Sequence, residues 1–458
     1  MSAPTVNLRT LVALAWPIVL ARATQAVVGL ADGLMVAPLG EDALAATTTG
    51  AINTFAAVIL PMGTVFIVQS FVSQLVGQGR GGEVHRYAWY GMVLALVAAV
   101  VALASMPLVR PLLGLLDHDP EVERLMGNYM LIRLTSVGAI VGMEALGNWY
   151  GGLGNTRMQM NAGVLTMVLD TGGNWLLIEG NLGFPALGVE GAALTSTISS
   201  WIGFGYLALA FGRGWGGVPA RSGAIVLQAR ELGRLLRFGL PNGVNWFLEF
   251  GAFTLFLNVA VAALGKTVLG ALNVIIQVNS VAFMPAFGLA TAGSILAGQT
   301  IGAGAKDQVW PIVRMTLVAA AGWMAAIGLL YFTYPELVMG LFAYDDPRTG
   351  VTAAQMIAIG APMLAVSAAW QLFDASAITF SETLRAAGDT TWCLIVRIVL
   401  AWAAFVPVSL LVVFVLDGDG IAVILCLTGY IALLAGALIW RFRSGRWKAI
   451  ELTEPVLV

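Results

Sequence analysis

Five acidic side chains lie inside stretches of sequence that are otherwise long and apolar: Asp32, Glu144, Asp170, Glu249 and Asp374. A carboxylate at the centre of a membrane-spanning helix costs about 2.5–3.5 kcal/mol on insertion scales, so it needs a partner, a proton or a water-filled cavity. The chain is 59% hydrophobic and only 10% charged, so these acids are unusual for their surroundings. Acids at such positions indicate a functional site, and the chemistry they favour is ion-coupled transport.

Two of these acids belong to polar stripes in the second half of the chain. Asn245 and Glu249 are spaced i, i+4, and Gln371 and Asp374 are spaced i, i+3, so each pair shares a helical face. At about 1.5 Å per residue, both acids lie about 18–21 Å from the cytoplasmic edge, and we expect them to face one another. Their carboxylate and amide oxygens suit Na⁺, whereas mutual repulsion of the carboxylates would instead hold a proton. The remaining interpretation is a polar helix contact without an ion.

The first half contains a second set of oxygen groups. Asp170 and Asn174 are spaced i, i+4 in one apolar segment, and Asp32 lies in the first segment. Thr195 or Ser196 in the sixth segment is placed to supply a further oxygen. We therefore predict a second site for Na⁺ or a proton at Asp32, Asp170 and Asn174. The alternative role for Asp32 is to cap the end of its helix.

Two arginines, Arg22 and Arg397, are the basic residues to consider as partners for these acids, because both lie within apolar segments. A long basic side chain there either extends to the membrane surface or pairs with an acid. Both histidines lie in predicted loops, and both cysteines lie in apolar segments. The sequence therefore gives no support to a His–carboxylate metalloenzyme or a disulfide framework. We expect no catalytic residues, no enzymatic activity and no cofactor other than a coupling ion.

The elements that must position these residues are membrane-spanning helices. The mean hydropathy is +0.87 over 458 residues. Apolar runs recur at the length of about 20 residues that crosses a hydrocarbon core of about 30 Å. The predicted fold is therefore an all-α polytopic membrane protein with twelve spans, at roughly 11–36, 47–76, 88–109, 127–150, 160–179, 188–212, 237–262, 270–301, 312–333, 351–381, 392–416 and 420–441.

The charged loops predict the orientation of these spans. Lys and Arg follow the even-numbered segments, whereas the loops after the odd-numbered segments are acidic. Because cytoplasmic loops carry the excess of Lys and Arg, both termini are predicted to be cytoplasmic. The net charge of −2 gives no indication of a nucleic-acid partner.

The second half of the chain repeats the first. At an offset of 224–225 residues, Trp16-Pro17 aligns with Leu240-Pro241, and further along the chain, at an offset of 234, Gly-Asn-Thr at 154–156 aligns with Gly-Asp-Thr at 388–390. Since six is an even number, both halves insert with the same orientation. We therefore predict an N-lobe at 1–212, a cytoplasmic linker at 213–236, and a C-lobe with a cytoplasmic tail at 237–458.

Four local sequences resemble the multidrug and toxic compound extrusion (MATE) family, in its NorM-like branch. They are ADGLMVAPLG at 31–40, GNLGFPALGVEGAAL at 180–194, GLPNGVNWFLE at 239–249 and LRAAGDT at 384–390. The resemblance covers nearly the whole chain. It implies a V-shaped antiporter in the bacterial inner membrane, which expels cationic drugs by alternating access in exchange for Na⁺ or H⁺.

The resemblance also implies roles for individual acids. In the NorM-like branch, acids on helices 1, 7 and 10 serve cation coupling, and the matching positions are Asp32, Glu249 and Asp374. Asp170 with Asn174 resembles a polar pair on helix 5 that binds a cation in some members. Many relatives have Asn at the first of these two positions, so Asp170 departs from the usual pattern. Which lobe dominates coupling therefore stays open.

The expected partners are membrane lipids and amphipathic organic cations, bound by a monomer in the cleft between lobes. A lipid-linked precursor flippase is the alternative function, because it has a similar duplicated architecture. Its phosphate-bearing cargo would favour buried Arg and Lys, whereas here five acids face two arginines. Adaptable apolar and aromatic side chains would complete the substrate cavity, and the candidates are Met62, Phe66, Trp246, Phe247, Met284 and Phe287.

The predicted topology is testable by labelling single cysteines from outside the cell. A membrane-impermeant reagent should reach positions 118 and 346, which lie in acidic loops, and should miss positions 221 and 446, which lie in basic segments. The opposite labelling pattern would contradict cytoplasmic termini.

Overall fold

The regular structure of the chain is dominated by helices. The computed structural model describes residues 7–115, 119–220, 226–345 and 350–453. Its first eight helices are α1 (Leu8–Val36), α2 (Glu41–Val65), α3 (Val68–Gly77), α4 (His85–Leu113), α5 (Pro120–Leu134), α6 (Val137–Gly152), α7 (Arg157–Leu177) and α8 (Gly188–Gly212). The next nine are α9 (Ala229–Leu255), α10 (Lys266–Gly302), α11 (Val309–Thr333), α12 (Pro335–Gly340), α13 (Ala353–Ser367), α14 (Trp370–Ala387), α15 (Thr390–Ile398), α16 (Val406–Phe414) and α17 (Gly420–Arg443).

The lengths of these helices agree with a polytopic membrane protein. Within the described ranges, nine helical stretches are long and apolar enough to cross a membrane. Two bent pairs, α5–α6 at 46° and α13–α14 at 53°, bring the number to eleven. The twelfth predicted span corresponds to α7, a 21-residue helix that carries Asp170 and Asn174 among its polar residues. All twelve predicted segments are helical, and the all-α polytopic fold is confirmed.

The internal repeat is visible in where the helices break. The fourth predicted span is broken between Leu134 and Val137, and the tenth is broken between Ser367 and Trp370. Both breaks come a similar distance before the aligned motifs at 154–156 and 388–390. The packing also repeats, because α4 packs on α6 in the first half and α11 packs on α14 in the second. These matched features support the duplication seen in the sequence.

The chain divides into two compact units, with boundaries inside α1 and α9. One unit is Pro17–Val244, and the other combines the residues up to Trp16 with Asn245–Val458. The second unit has a large apolar core that includes Phe256, Met363 and Phe405. The lobe and linker boundaries at 212 and 236 stay a prediction.

Acidic and hydroxyl side chains begin several helices on the side predicted to be extracellular. Asp119 accepts a hydrogen bond from the backbone of Glu121 at the start of α5, and Asp419 accepts one from Ala422 at the start of α17. Thr352 and Gln355 form a capping box at the start of α13. These contacts satisfy backbone N–H groups that a helix leaves unpaired. Acidic residues of these loops thus serve helix capping. Of the residues proposed for labelling, 118, 221 and 346 lie outside the described ranges.

Helices α7 and α8 approach one another closely because glycine lies at their contact. A Cβ atom at Gly191 on α8 would come within 2.4 Å of the backbone oxygen of Leu177 at the end of α7. A Cβ atom at Gly173 on α7 would come within 2.5 Å of Thr195 on α8. The two helices can therefore pack at this distance only with glycine at these positions.

Gly191→Ala should lower the thermal stability of the purified protein. The added methyl group meets backbone atoms, which cannot rotate away, and overpacking of this kind costs about 1–3 kcal/mol. Gly205→Ala on the same helix is the matched control, because no atom lies within 4 Å of its added Cβ. The melting temperature in detergent should fall for Gly191→Ala alone. An equal effect of both variants would show that α7 and α8 do not depend on this contact.

Candidate functional site

Asp32, Asp170, Asn174, Ser196 and Ser199 form a first acidic cluster on α1, α7 and α8. The amide Nδ2 of Asn174 donates to Asp32 Oδ1 at 2.5 Å and to Asp170 Oδ2 at 3.3 Å. Ser199 Oγ donates to Asp170 Oδ1 at 3.2 Å, and Ser196 Oγ lies 3.5 Å from Asp32 Oδ2. The structure thus brings together the three residues that the sequence grouped as an N-lobe site.

The first acidic cluster is buried and electrostatically negative. Asp170 and Asn174 are each 0% exposed. Arg133 on α5 acts on Asp32 electrostatically, but the described part of the chain places no Lys or Arg within ion-pair distance of Asp32 or Asp170. Two adjacent carboxylates in a low-dielectric interior cannot both stay charged without compensation. The cluster can therefore take up a proton or a small cation.

The oxygen atoms of this cluster fit Na⁺. The Oδ1 atom of Asn174 is buried and has no hydrogen-bond partner among the described residues, so it is available as a ligand. Carboxylate, amide and hydroxyl oxygens are the hard ligands that Na⁺ prefers. No group of three or more His, Cys, Asp and Glu side chains with the geometry of a metal site occurs in the residues that the structure describes.

Thr195, the predicted hydroxyl donor, points elsewhere in this structure. Its Oγ1 atom donates to the backbone oxygen of Gly191 at 2.9 Å, and its methyl group faces Gly173. Ser199, one helical turn further along α8, supplies the hydroxyl that contacts Asp170. Ser199 was not among the residues predicted from the sequence. Its spacing of i, i+3 from Ser196 places it on the same helical face and is the pattern that could have identified it.

A second acidic cluster lies in the other unit and consists of Glu249, Asp374 and Arg397. Glu249 on α9 forms an ion pair with Arg397 on α15. Asp374 on α14 interacts electrostatically with both of them but forms no ion pair in the described ranges. The structure thus places the two predicted acids near one another, and it adds an arginine to them. The cluster contains two carboxylates and one guanidinium.

The polar neighbours of this second cluster make different contacts. Gln371 Nε2 donates to Asn279 Oδ1 on α10 at 2.5 Å. Helical spacing identified Gln371 but not Asn279. The only feature of the sequence that marks Asn279 is a polar residue within an apolar helix. Asn245 is 6% exposed, and its Oδ1 atom has no hydrogen-bond partner among the described residues. Asn245 therefore offers a free amide oxygen one helical turn before Glu249.

Glu144 forms a separate buried ion pair with Arg22. Arg22 Nη2 lies 2.7 Å from Glu144 Oε1, and Asn148 Nδ2 donates to the same oxygen at 3.0 Å. The guanidinium of Arg22 also lies 5.8 Å from the ring centre of Phe66. Beside the pair is a cavity of about 20 Å³, which Gln25 helps to line. The charges of Glu144 and Arg22 thus compensate each other.

The six apolar candidates for a substrate cavity fall into both units. In the first unit, Phe66 is 1% exposed and Met62 packs against an apolar core. In the second unit, Phe247 is 40% exposed, and the Phe287 ring lies 5.9 Å from that of Phe283. Trp246 and Met284 are half-buried there. Their role in binding a substrate stays a prediction.

Comparison with known proteins identifies the family. The MatE family model matches residues 17–176 and 243–411. The chain belongs to the MatE family, and it is a multi-pass transporter of the NorM multidrug efflux type.

Named relatives cover most of the chain. It is 29% identical over 390 residues to the multidrug resistance protein NorM of Burkholderia vietnamiensis, covering 82% of this chain and 81% of that protein. It is 27% identical over 461 residues to the probable multidrug resistance protein NorM of Pseudomonas putida, covering 99% of each. A solved MOP superfamily transporter from Pyrococcus furiosus has the same fold, with a TM-score of 0.87 at 20% identity, covering 96% of this chain and 97% of that one. The work on that transporter describes a binding pocket of reversed polarity that suggests a different function for it.

Ser199→Ala should weaken cation binding at the first acidic cluster more than Thr195→Val. Ser199 bonds to the Asp170 carboxylate, whereas the Thr195 hydroxyl bonds to its own helix. Loss of a hydrogen bond to a charged group corresponds to a change of about tenfold or more. The measurement is the ion concentration that gives half-maximal drug efflux. A larger shift for Thr195→Val would contradict the side-chain arrangement of α8.

Proposed function

We propose that the protein is a cation-coupled antiporter that exports amphipathic organic cations by alternating access. Na⁺ or H⁺ enters the acidic clusters, and an organic cation leaves the cell in exchange. The proposal adds the coupling ion and the class of substrate to the multidrug efflux function of the family. It includes an inner-membrane location, a monomeric state and cytoplasmic termini.

The observation that carries the proposal is the first acidic cluster. Asp170 and Asn174 are fully buried, Asp32 shares the Asn174 amide with Asp170, and no resident basic group pairs with either acid in the described ranges. Burying two carboxylates without compensation is too costly to be retained for packing alone. Reversible binding of a proton or a cation, which neutralises these carboxylates, explains why both acids are present.

The balance of intramembrane charge supports a cationic cargo. Arg22 compensates Glu144, and Arg397 compensates Glu249. Asp32, Asp170 and Asp374 remain without an ion pair among the residues that the structure describes. An excess of unpaired carboxylates attracts organic cations and repels phosphate-bearing lipids. The charge therefore favours drug-cation export over the lipid-linked flippase.

Exchange requires the coupling cation and the drug to favour different states of the transporter. A ligand shifts a conformational equilibrium only through its different affinities for the two states. Uptake of a cation at Asp32 and Asp170 removes the repulsion between their carboxylates, which are held by α1 and α7. The packing of α1 would then differ between the charged and the neutralised cluster. That difference is the coupling step in our proposal.

Asp32→Asn should abolish ion-driven efflux while leaving expression and folding intact. An asparagine amide is neutral and cannot take up a proton as a carboxylate does. The substitution also removes one negative charge that would attract Na⁺. The experiment loads proteoliposomes with ethidium and imposes a Na⁺ gradient and a proton gradient separately. The wild type should respond to at least one gradient, and Asp32→Asn to neither. Asp42→Asn, at the start of α2, is a matched control that should behave as wild type.

Three outcomes would contradict parts of this proposal. Undiminished ion-driven efflux by Asp32→Asn would return Asp32 to a capping role. A wild type that responds to neither gradient would rule out Na⁺ and proton coupling. Efflux restricted to anionic compounds would contradict the cationic substrate class.

A further inference from the structure

The second acidic cluster differs from the first in having a resident cation. Arg397 on α15 is ion-paired with Glu249 on α9, and the side chain of Arg397 is only 15% exposed. The first cluster has no Lys or Arg in ion-pair contact with its acids, within the part of the chain that the structure describes. Both clusters contain two carboxylates, but their net charges therefore differ by one unit.

The helix that carries Arg397 is joined to the helix that carries Glu249 by further contacts near the ion pair. It lies two residues before a π-helical segment, Val399–Phe405. From that segment, Trp402 Nε1 donates to the backbone oxygen of Leu248 at 3.2 Å, directly beside Glu249. The Trp402 ring also lies beside Gly251, two residues beyond Glu249, at an ordinary packing distance of 3.6 Å from an ideal Cβ position there. The geometry therefore fixes the backbone around both partners of the ion pair.

The arginine in this ion pair keeps its positive charge throughout the physiological pH range. A guanidinium stays protonated at any physiological pH, unlike a histidine or a buried lysine. Glu249 is thus compensated without a mobile ion. Asp374 interacts electrostatically with both residues and has no ion pair of its own in the described ranges. The ionised cluster carries a net charge of −1, which a single proton or monovalent cation neutralises.

We propose that Arg397 is a specificity-determining residue that holds Glu249 and leaves Asp374 as the carboxylate that takes up the mobile cation. The second acidic cluster is thereby limited to one monovalent charge per cycle. The inference rests on the proposed function, because it assigns the two carboxylates of the same coupling site different roles.

The inference predicts how charge-removing variants combine. Glu249→Gln frees Arg397 to compensate Asp374, so the cluster becomes neutral and should lose its mobile cation. Adding Arg397→Gln to Glu249→Gln returns the net charge to −1 and should restore cation binding at Asp374. Because both partners of the ion pair are then neutral, the double variant leaves neither of these two positions with an unpaired charge, and Asp374 alone remains for the mobile cation.

The test measures cation binding by purified protein that also carries Asp32→Asn and Asp170→Asn, which together remove both carboxylates of the first cluster. Bound ²²Na⁺ and proton uptake at a pH indicator are the two readouts. Glu249→Gln should weaken binding on the order of 10- to 100-fold, as expected for one unit charge acting over several ångströms at an effective dielectric constant of about 20. Glu249→Gln with Arg397→Gln should recover affinity to within about threefold of the parent that carries only Asp32→Asn and Asp170→Asn.

Arg22→Gln is the matched control, because Arg22 is the other arginine of the apolar segments that forms an ion pair with one of the five acids. Combined with Glu249→Gln, and with Glu144→Gln so that no new unpaired carboxylate is created, it should not restore binding. Restoration by Arg22→Gln would show a general change in charge and would overturn the inference. Parent-like affinity of Glu249→Gln would also overturn it, as would absence of recovery in the double variant with an unchanged melting temperature. A parent that binds neither ion would overturn it too, whereas failure of the proposed function would appear separately, as wild-type efflux that ignores both gradients.

Discussion

The need to compensate charge in a low-dielectric interior is the constraint on which this structure depends. A buried carboxylate must find an arginine, a proton or a cation, and the five acids within the apolar segments do so in different ways. Glu144 and Glu249 have arginine partners. Asp32 and Asp170 share an asparagine amide, which donates hydrogen bonds but does not neutralise charge. Glu144 and Glu249 thus have resident counter-charges, whereas Asp32, Asp170 and Asp374 have no ion pair in the described ranges and, in our proposal, respond to mobile ions.

The fold provides the rigid backbone that this arrangement requires. Gly191 and Gly173 let α7 and α8 approach closely, and this approach brings Ser199 against Asp170 and Asn174 against Asp32. In the other unit, Trp402 ties the π-helical segment after α15 to the backbone beside Glu249. π-Helical turns interrupt regular helices and are frequent at functional sites. Small local departures from ideal packing therefore set the geometry of both acidic clusters.

Much of the architecture was predictable from the sequence because hydropathy reports directly on burial in lipid. All twelve predicted segments are helical, although α7 is too polar to be recognised as a span by composition alone. Helical spacing identified Asp170 and Asn174 as neighbours on one face, since that relation lies within a single helix. The partner of an acid on another helix depends on how the helices rotate and pack. For that reason, the sequence left Arg22 and Arg397 as unassigned counter-charges, named Thr195 or Ser196 but not Ser199 as a hydroxyl donor, and did not identify Asn279.

In the proposed exchange, binding of the coupling cation changes the affinity for the exported drug, and binding of the drug changes the affinity for the cation. Thermodynamic linkage requires such an influence to be reciprocal, so that each ligand changes the affinity of the other by the same factor. Titration of purified protein with tetraphenylphosphonium, with and without saturating Na⁺ and at low and high proton concentration, measures this factor directly. The account predicts weaker binding of the organic cation when the coupling ion saturates the clusters, and an equal weakening when the titration is reversed. Affinities that are independent of both Na⁺ and proton concentration would contradict it.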